Sequence, residues 1–84
     1  MTPEAVLAIV QEAVAIVLEV RPESVLAELA LEGDLAADSL AIVEIVDIVE
    51  SEVAKHKPGF QFADEDLDGL TTVQSTVDYV MARV

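Results

Sequence analysis

Ser39 stands between Asp38 and Leu40, at the head of the run Ala41-Ile42-Val43-Glu44-Ile45-Val46-Asp47-Ile48-Val49-Glu50. Acids and aliphatic residues recur through that run at helical spacing. A serine at the start of a helix has two uses. Asp38 or Ser39 can accept hydrogen bonds from the free amides of the first turn and act only as a cap. Alternatively, the hydroxyl is a point of modification, because the positive end of a helix tolerates an attached anion. Residue types alone favour the cap. The other candidates for chemistry are weaker. His56, the single histidine, lies in Lys55-His56-Lys57, a solvated loop a full helix away from Ser39. No strand-turn-helix elbow or oxyanion segment accompanies it, so Ser39, His56 and Asp38 do not read as a hydrolytic triad. Asp64-Glu65-Asp66-Leu67-Asp68-Gly69 places acids at positions 1, 3 and 5 and glycine at 6 of a calcium loop. Position 12, where a bidentate glutamate is needed, is Ser75, and no second hand follows. The segment reads as a short acidic helix, with weak divalent binding left open and no dedicated metal site expected. The chain has no cysteine, hence no disulfide framework and no thiolate ligand.

Elements able to position Ser39 follow from periodicity and breakers. Thr2 caps a first helix with Pro3 at its first position, and Pro22 ends it near Glu19 or Val20. Its core stripe is Val6, Val10, Ala13 or Val14, and Val17 or Leu18. Ile9 and Ile16 add apolar surface outside that stripe, which suggests a protein contact or tolerated exposure. By propensity, Ser24 to Leu31 reads as a short helix, and Gly33-Asp34 marks a turn. A second helix runs from about Ser39 to Val53 or slightly beyond, with Leu40, Val43, Val46, Val49 and Val53 facing the core. Glu44, Asp47 and Glu50 form an acidic stripe beside it. Pro58-Gly59 breaks the chain. A short helix fits Asp64 to Asp68, with Gly69 as its stop. Thr71 or Thr72 caps a last helix that turns Val73, Val77, Val80 and Met81 inward. The expected fold class is all-α: one domain, residues 1–84, a small four-helix bundle of three main helices and one short one.

Four basic residues against seventeen acidic give a net charge of −13. Nucleic acid and anionic membrane surfaces are repelled by such a chain, and partners with basic patches suit it. The periodic aliphatic content excludes disorder. No apolar run approaches the roughly 18 residues of a membrane span. The start, Met1-Thr2-Pro3-Glu4, lacks the basic flank of a signal peptide. A cytoplasmic monomer is expected.

Asp38-Ser39-Leu40, the acidic helix after it, Gly33-Asp34-Leu35 before it, and Leu70-Thr71-Thr72-Val73-Gln74 with Val77-Asp78-Tyr79 near the C-terminus together resemble the acyl carrier proteins. The resemblance covers nearly the whole chain. It implies that Ser39 carries a 4′-phosphopantetheine arm, donated by coenzyme A, whose thiol holds acyl groups as thioesters. Asp38 and Leu40 complete the attachment motif. It also implies a long ordered loop between the first two main helices, with at most one helical turn. Val25, Leu29, Leu31 and Leu35 then tuck that loop onto the bundle.

The implied role is a non-catalytic carrier serving fatty-acid, polyketide or related biosynthetic enzymes. Its implied partners are a phosphopantetheinyl transferase and enzymes of acyltransferase and ketosynthase type with basic docking patches. Asp38, Ile42, Val43, Glu44, Asp47 and Glu50 are the candidate docking residues. Val43, Ile45, Val46, Val49 and Leu70 are candidates for lining an acyl-chain pocket, or are ordinary core. Three departures from the family pattern, with the extra apolar residues Ile9 and Ile16 on the first helix, leave a dedicated carrier for a lipopeptide or other specialised acyl group open beside primary fatty-acid synthesis. Ala36 replaces a usual glycine, which suggests a tighter or more helical turn before Ser39. Ala41 replaces a common acid. The Ala54–Gln61 connection is several residues longer than usual. Peptidyl carriers more often show His-Ser-Leu, so Asp38 argues against an amino-acid cargo. Outside the class, the rival reading is an unmodified acidic module that binds a partner or calcium.

Overall fold

Thr2 begins the structure by capping: its hydroxyl accepts from the Ala5 amide at 3.1 Å, with Pro3 in the first turn. Helix α1 then runs Pro3–Leu18. It ends at Glu19, whose φ of 56° is left-handed and whose amide bonds back to the Ala15 carbonyl. The computed structural model describes all 84 residues. Helix α2 spans Ser39–Ala54 and α3 spans Val73–Met81. Two 3₁₀ segments lie between them, Pro22–Ser24 and Asp64–Gly69. The latter is the expected short helix, wound more tightly.

Helix α1 is the hub, packing on both α2 and α3, while those two hardly approach each other. Its buried face is Val6, Val10, Ala13 and Val14, with Val17 and Leu18 half-buried at the end. Helix α3 buries Val73, Thr76, Val77 and Val80, and Met81 is partly covered. Thr72 caps α3 through a reciprocal pair: its hydroxyl accepts from the Ser75 amide, and the Ser75 hydroxyl accepts from the Thr72 amide.

Helix α2 is rotated relative to the expected stripe. Its buried residues are Ile45, Val46, Val49 and Val53. Leu40 and Val43, expected in the core, are 68% and 43% exposed. The physical reason is that nearly every non-acidic position of α2 is aliphatic. Two stripes a fraction of a turn apart therefore fit the 3.6-residue period equally, and α1 selects one of them.

The long loop takes no helix over Ser24–Leu31 beyond the 3₁₀ turn. Its backbone groups are satisfied by the start of α3 instead. The Leu31 amide donates to the Thr71 carbonyl at 2.9 Å, Val73 donates to Leu29 at 3.0 Å, and Gln74 donates to Ala27 at 2.8 Å. Ala30 and Thr72 form an isolated antiparallel bridge. Free amides of the first turn of α3 are thereby paired with loop carbonyls, and Val25 and Leu31 are buried beneath the loop. Propensity lost because these long-range bonds and buried contacts outweigh a weak helical preference.

The connection after α2 turns at Gly59, with φ of 92°, and sends Phe60 and Phe62 inward. Phe62 stacks on Tyr79 with ring centroids 4.9 Å apart, and Phe60 meets Phe62 edge-on at 5.2 Å.

Candidate functional site

The loop before α2 is closed by its own backbone. Asp34 accepts from the Ala30 amide through its carboxylate at 2.8 Å, and the Ala37 amide donates to the Leu31 carbonyl at 2.8 Å. Ala37 is buried and anchors the segment. Ala36 has φ of 57°. The turn is thus neither tighter nor more helical than a glycine turn. It keeps the left-handed conformation that glycine adopts freely, with an alanine in it.

Asp38, not Ser39, is the cap: its carboxylate accepts from the Ala41 amide at 2.8 Å. Ser39 is the first residue of α2 and is exposed. Its hydroxyl takes part in none of the protein's hydrogen bonds, and the Ser39 and Leu40 amides find no acceptor within the chain. The site therefore offers an uncommitted hydroxyl beside unpaired donors at the positive end of a helix. That donor set fits a phosphodiester on Ser39.

Ser39 lies where two hollows meet. The larger, about 540 Å³, is a groove between the start of α2 and the Asp64–Gly69 segment. Ala30, Ile42, Val43, Leu67 and Leu70 are its apolar lining, and Glu32, Asp64 and Asp68 bring carboxylates to it. The smaller, about 370 Å³, is lined by Glu32, Ala36, Ala37, Asp38 and Ser39. Of the five candidates for acyl-chain lining, Val43 and Leu70 are at the groove, whereas Ile45, Val46 and Val49 belong to the packed core. Ile42, named from sequence for docking, is half-buried in the groove wall. Glu32, Asp64 and Leu67 were not singled out as lining. Their sequence signal is only proximity to the motif and to Leu70.

The docking candidates also divide. Glu44 and Asp47 are exposed and hold neither a hydrogen bond nor an ion pair through their carboxylates. Asp38 is engaged as the cap. Glu50 is half-buried, and its carboxylate accepts from the Phe62 amide at 2.8 Å. Leu40 and Val43 stand exposed among these acids. In the calcium-like segment, Asp66 accepts from the Tyr79 hydroxyl at 2.7 Å and lies 3.7 Å from Arg83. No three acidic or histidine side chains converge there or elsewhere. His56 is exposed in the connection after α2.

An all-helical bundle with a free serine at the head of its second main helix is the architecture of a small carrier domain. Residues 8–80 match the family described as the phosphopantetheine attachment site, and the chain belongs to that family. It is also 36% identical over 64 residues to the acyl carrier protein of Buchnera aphidicola subsp. Schizaphis graminum (strain Sg), covering 76% of this chain and 75% of that protein. Its function is that of an acyl carrier, and its prosthetic group is 4′-phosphopantetheine. No helix is long and apolar enough to cross a membrane.

Proposed function

We propose that Ser39 is the attachment residue, and that the chain is a carrier rather than a catalyst. When bound, the group supplies a terminal thiol on which acyl intermediates ride as thioesters. The observation that carries the assignment is the uncommitted Ser39 hydroxyl at the first position of α2, open to both hollows. The other serines are placed differently. Ser24 donates its hydroxyl to the Arg21 carbonyl at 2.7 Å. Ser75 is locked in the α3 cap. Ser51 lies within the body of α2, away from its free amides.

Asp38 supports the site by holding the first turn in register, and by placing a carboxylate where an approaching transferase meets the serine. The groove lined by Val43 and Leu70 takes the near part of the cargo. Glu44 and Asp47, with Leu40 and Val43, form the face on which the transferase and enzymes of acyltransferase and ketosynthase type dock. Exposed charge of this kind speeds encounter and orients a partner more than it tightens binding. The test is intact and tandem mass spectrometry after incubation with coenzyme A, magnesium and a broad-specificity transferase. One arm on Ser39, absent in Ser39→Ala, is expected. An arm on Ser51, or retained modification in Ser39→Ala, overturns the assignment.

A further inference from the structure

Ile9 and Ile16, outside the core stripe of α1, meet Ile48 of α2 across a second groove of about 390 Å³, with Ala8 completing the apolar lining. Ile16 is 63% exposed. Glu12 and Glu52 line the same groove, and no basic residue does. The only nearby compensation is Lys55, 3.1 Å from Glu52. Glu12 has no basic partner. The groove is remote from the attachment site. Ile48 follows Ser39 by nine residues, which at about 100° and 1.5 Å per residue is half a turn round α2 and roughly 13 Å along it. A protein seated there leaves Ser39 and its groove uncovered.

We propose that this α1–α2 groove docks a basic amphipathic helix of a partner protein, one that holds the carrier while the arm stays free. The pattern matches helix-in-groove recognition. Ile9 and Ile16 are two turns apart, about 10 Å, so a helix of two to three turns offering apolar side chains at i, i+4 and i+7 covers the strip. Flanking lysine or arginine on that helix meets Glu12 and Glu52. A second copy of this chain is the wrong occupant. It would bring another charge of −13 and a like pair of glutamates against the same apolar strip, a repulsion that works against association.

The experiment uses the holo-protein with isoleucine, leucine and valine methyls labelled. The probe is a synthetic leucine–lysine amphipathic peptide of about 14 residues, long enough to become helical on docking. Shifts are expected at Ile9, Ile16 and Ile48. Binding should fall with salt and be lost when glutamate replaces the peptide's lysines. Ile16→Glu should weaken binding at least about tenfold. Attraction by charge alone would instead strengthen in that variant, which separates a built groove from general acidity. Unmodified chain saturated with peptide should still accept the arm at Ser39. Shifts centred on Leu40 and Val43, or unchanged binding by Ile16→Glu, overturn the proposal. So does sedimentation showing a dimer that Ile16→Glu dissolves, since the groove would then belong to a second copy.

Discussion

The Glu50 carboxylate receives the Phe62 amide at 2.8 Å, twelve residues on in sequence, and so fastens the connection after α2 to the side of that helix. On the same connection, the Tyr79 hydroxyl accepts from the Ala63 amide at 3.1 Å and donates to Asp66 at 2.7 Å. Arg83 lies over the Tyr79 ring, 3.5 Å from its centroid. Helices α2 and α3, which hardly touch, are thus joined through the segment that walls the groove beside Ser39. A glutamate that falls in the same acidic stripe as Glu44 and Asp47 is in part a structural fastening.

Glu50→Ala should therefore destabilise the fold, because it leaves a part-buried amide without its acceptor. A loss of about 1–2 kcal/mol is expected, or about 4–8 °C per kcal/mol in a domain of this size. Glu50→Gln, which keeps an acceptor oxygen, should recover most of it. Paired thermal melts decide the matter. Equal midpoints for Glu50→Ala and the parent would show that the bond contributes nothing.

Tyr79→Phe keeps the stacking on Phe62 but removes the hydroxyl that links Ala63 and Asp66. A loss of about 1 kcal/mol is expected, with faster amide exchange at Ala63 and in the Asp64–Gly69 segment than elsewhere. Uniform exchange rates across the chain would show that this hydroxyl does not hold the groove wall.

Ala36→Gly should stabilise. At φ of 57° an alanine costs about 1–2 kcal/mol, and glycine returns part of that through its greater freedom in the unfolded chain. A net gain of up to about 1 kcal/mol is expected in urea denaturation. The same change at Ala37, which is buried and does not have positive φ, should destabilise. A loss at Ala36 would mean that its methyl makes a contact worth more than the strain.

How far the sequence determines this fold differs from element to element. Thr2-Pro3, Pro22 and Thr72 carry their signals locally, through caps and missing donors, and the helix ends were legible to within a residue or two. The inward face of α2 was not, because aliphatic residues occupy both candidate stripes and only packing against α1 chooses. Phe60 and Phe62 gave no helical periodicity, and their burial depends on Tyr79, seventeen residues beyond the nearer of them. At the site, the free state of Ser39 depends on Asp38 winning the cap, which the types of the two residues left open. The participation of Glu32 in the groove depends on the fold of the long loop, set by bonds to α3.

Stability should rise with ionic strength. Of the seventeen acids, only Glu23, Glu52 and Asp66 have a basic partner, and those three pairs are all solvent-exposed. Exposed pairs contribute little, so self-repulsion across the domain is largely uncompensated. At 0.1 M salt the screening length is about 10 Å, shorter than the 19 Å of the smallest dimension of the molecule. Melts across a sodium chloride series should climb, and magnesium should act at lower concentration. A midpoint indifferent to both would show that the charges are too far apart to matter.

Charge reversal should separate docking acids from structural ones. Glu44 and Asp47 are free of internal partners, and Leu40 and Val43 are exposed beside them. Glu44→Lys and Asp47→Lys should each slow modification of Ser39 mildly, since an exposed pair contributes only about 0.2–1 kcal/mol. The double variant should slow it more clearly and flatten its dependence on salt, because the lost interaction acts on encounter. Leu40→Ala should raise the transferase's KM with little change in its salt dependence, since it removes apolar contact and no charge. All three residues are exposed, so circular dichroism and melting should match the parent. Glu50→Lys, by contrast, should lower the melting point through its bond to Phe62, whatever its effect on the transferase. If the folded double variant is modified as fast as the parent at low salt, the transferase docks elsewhere, and Glu44 and Asp47 serve only to keep the carrier in solution.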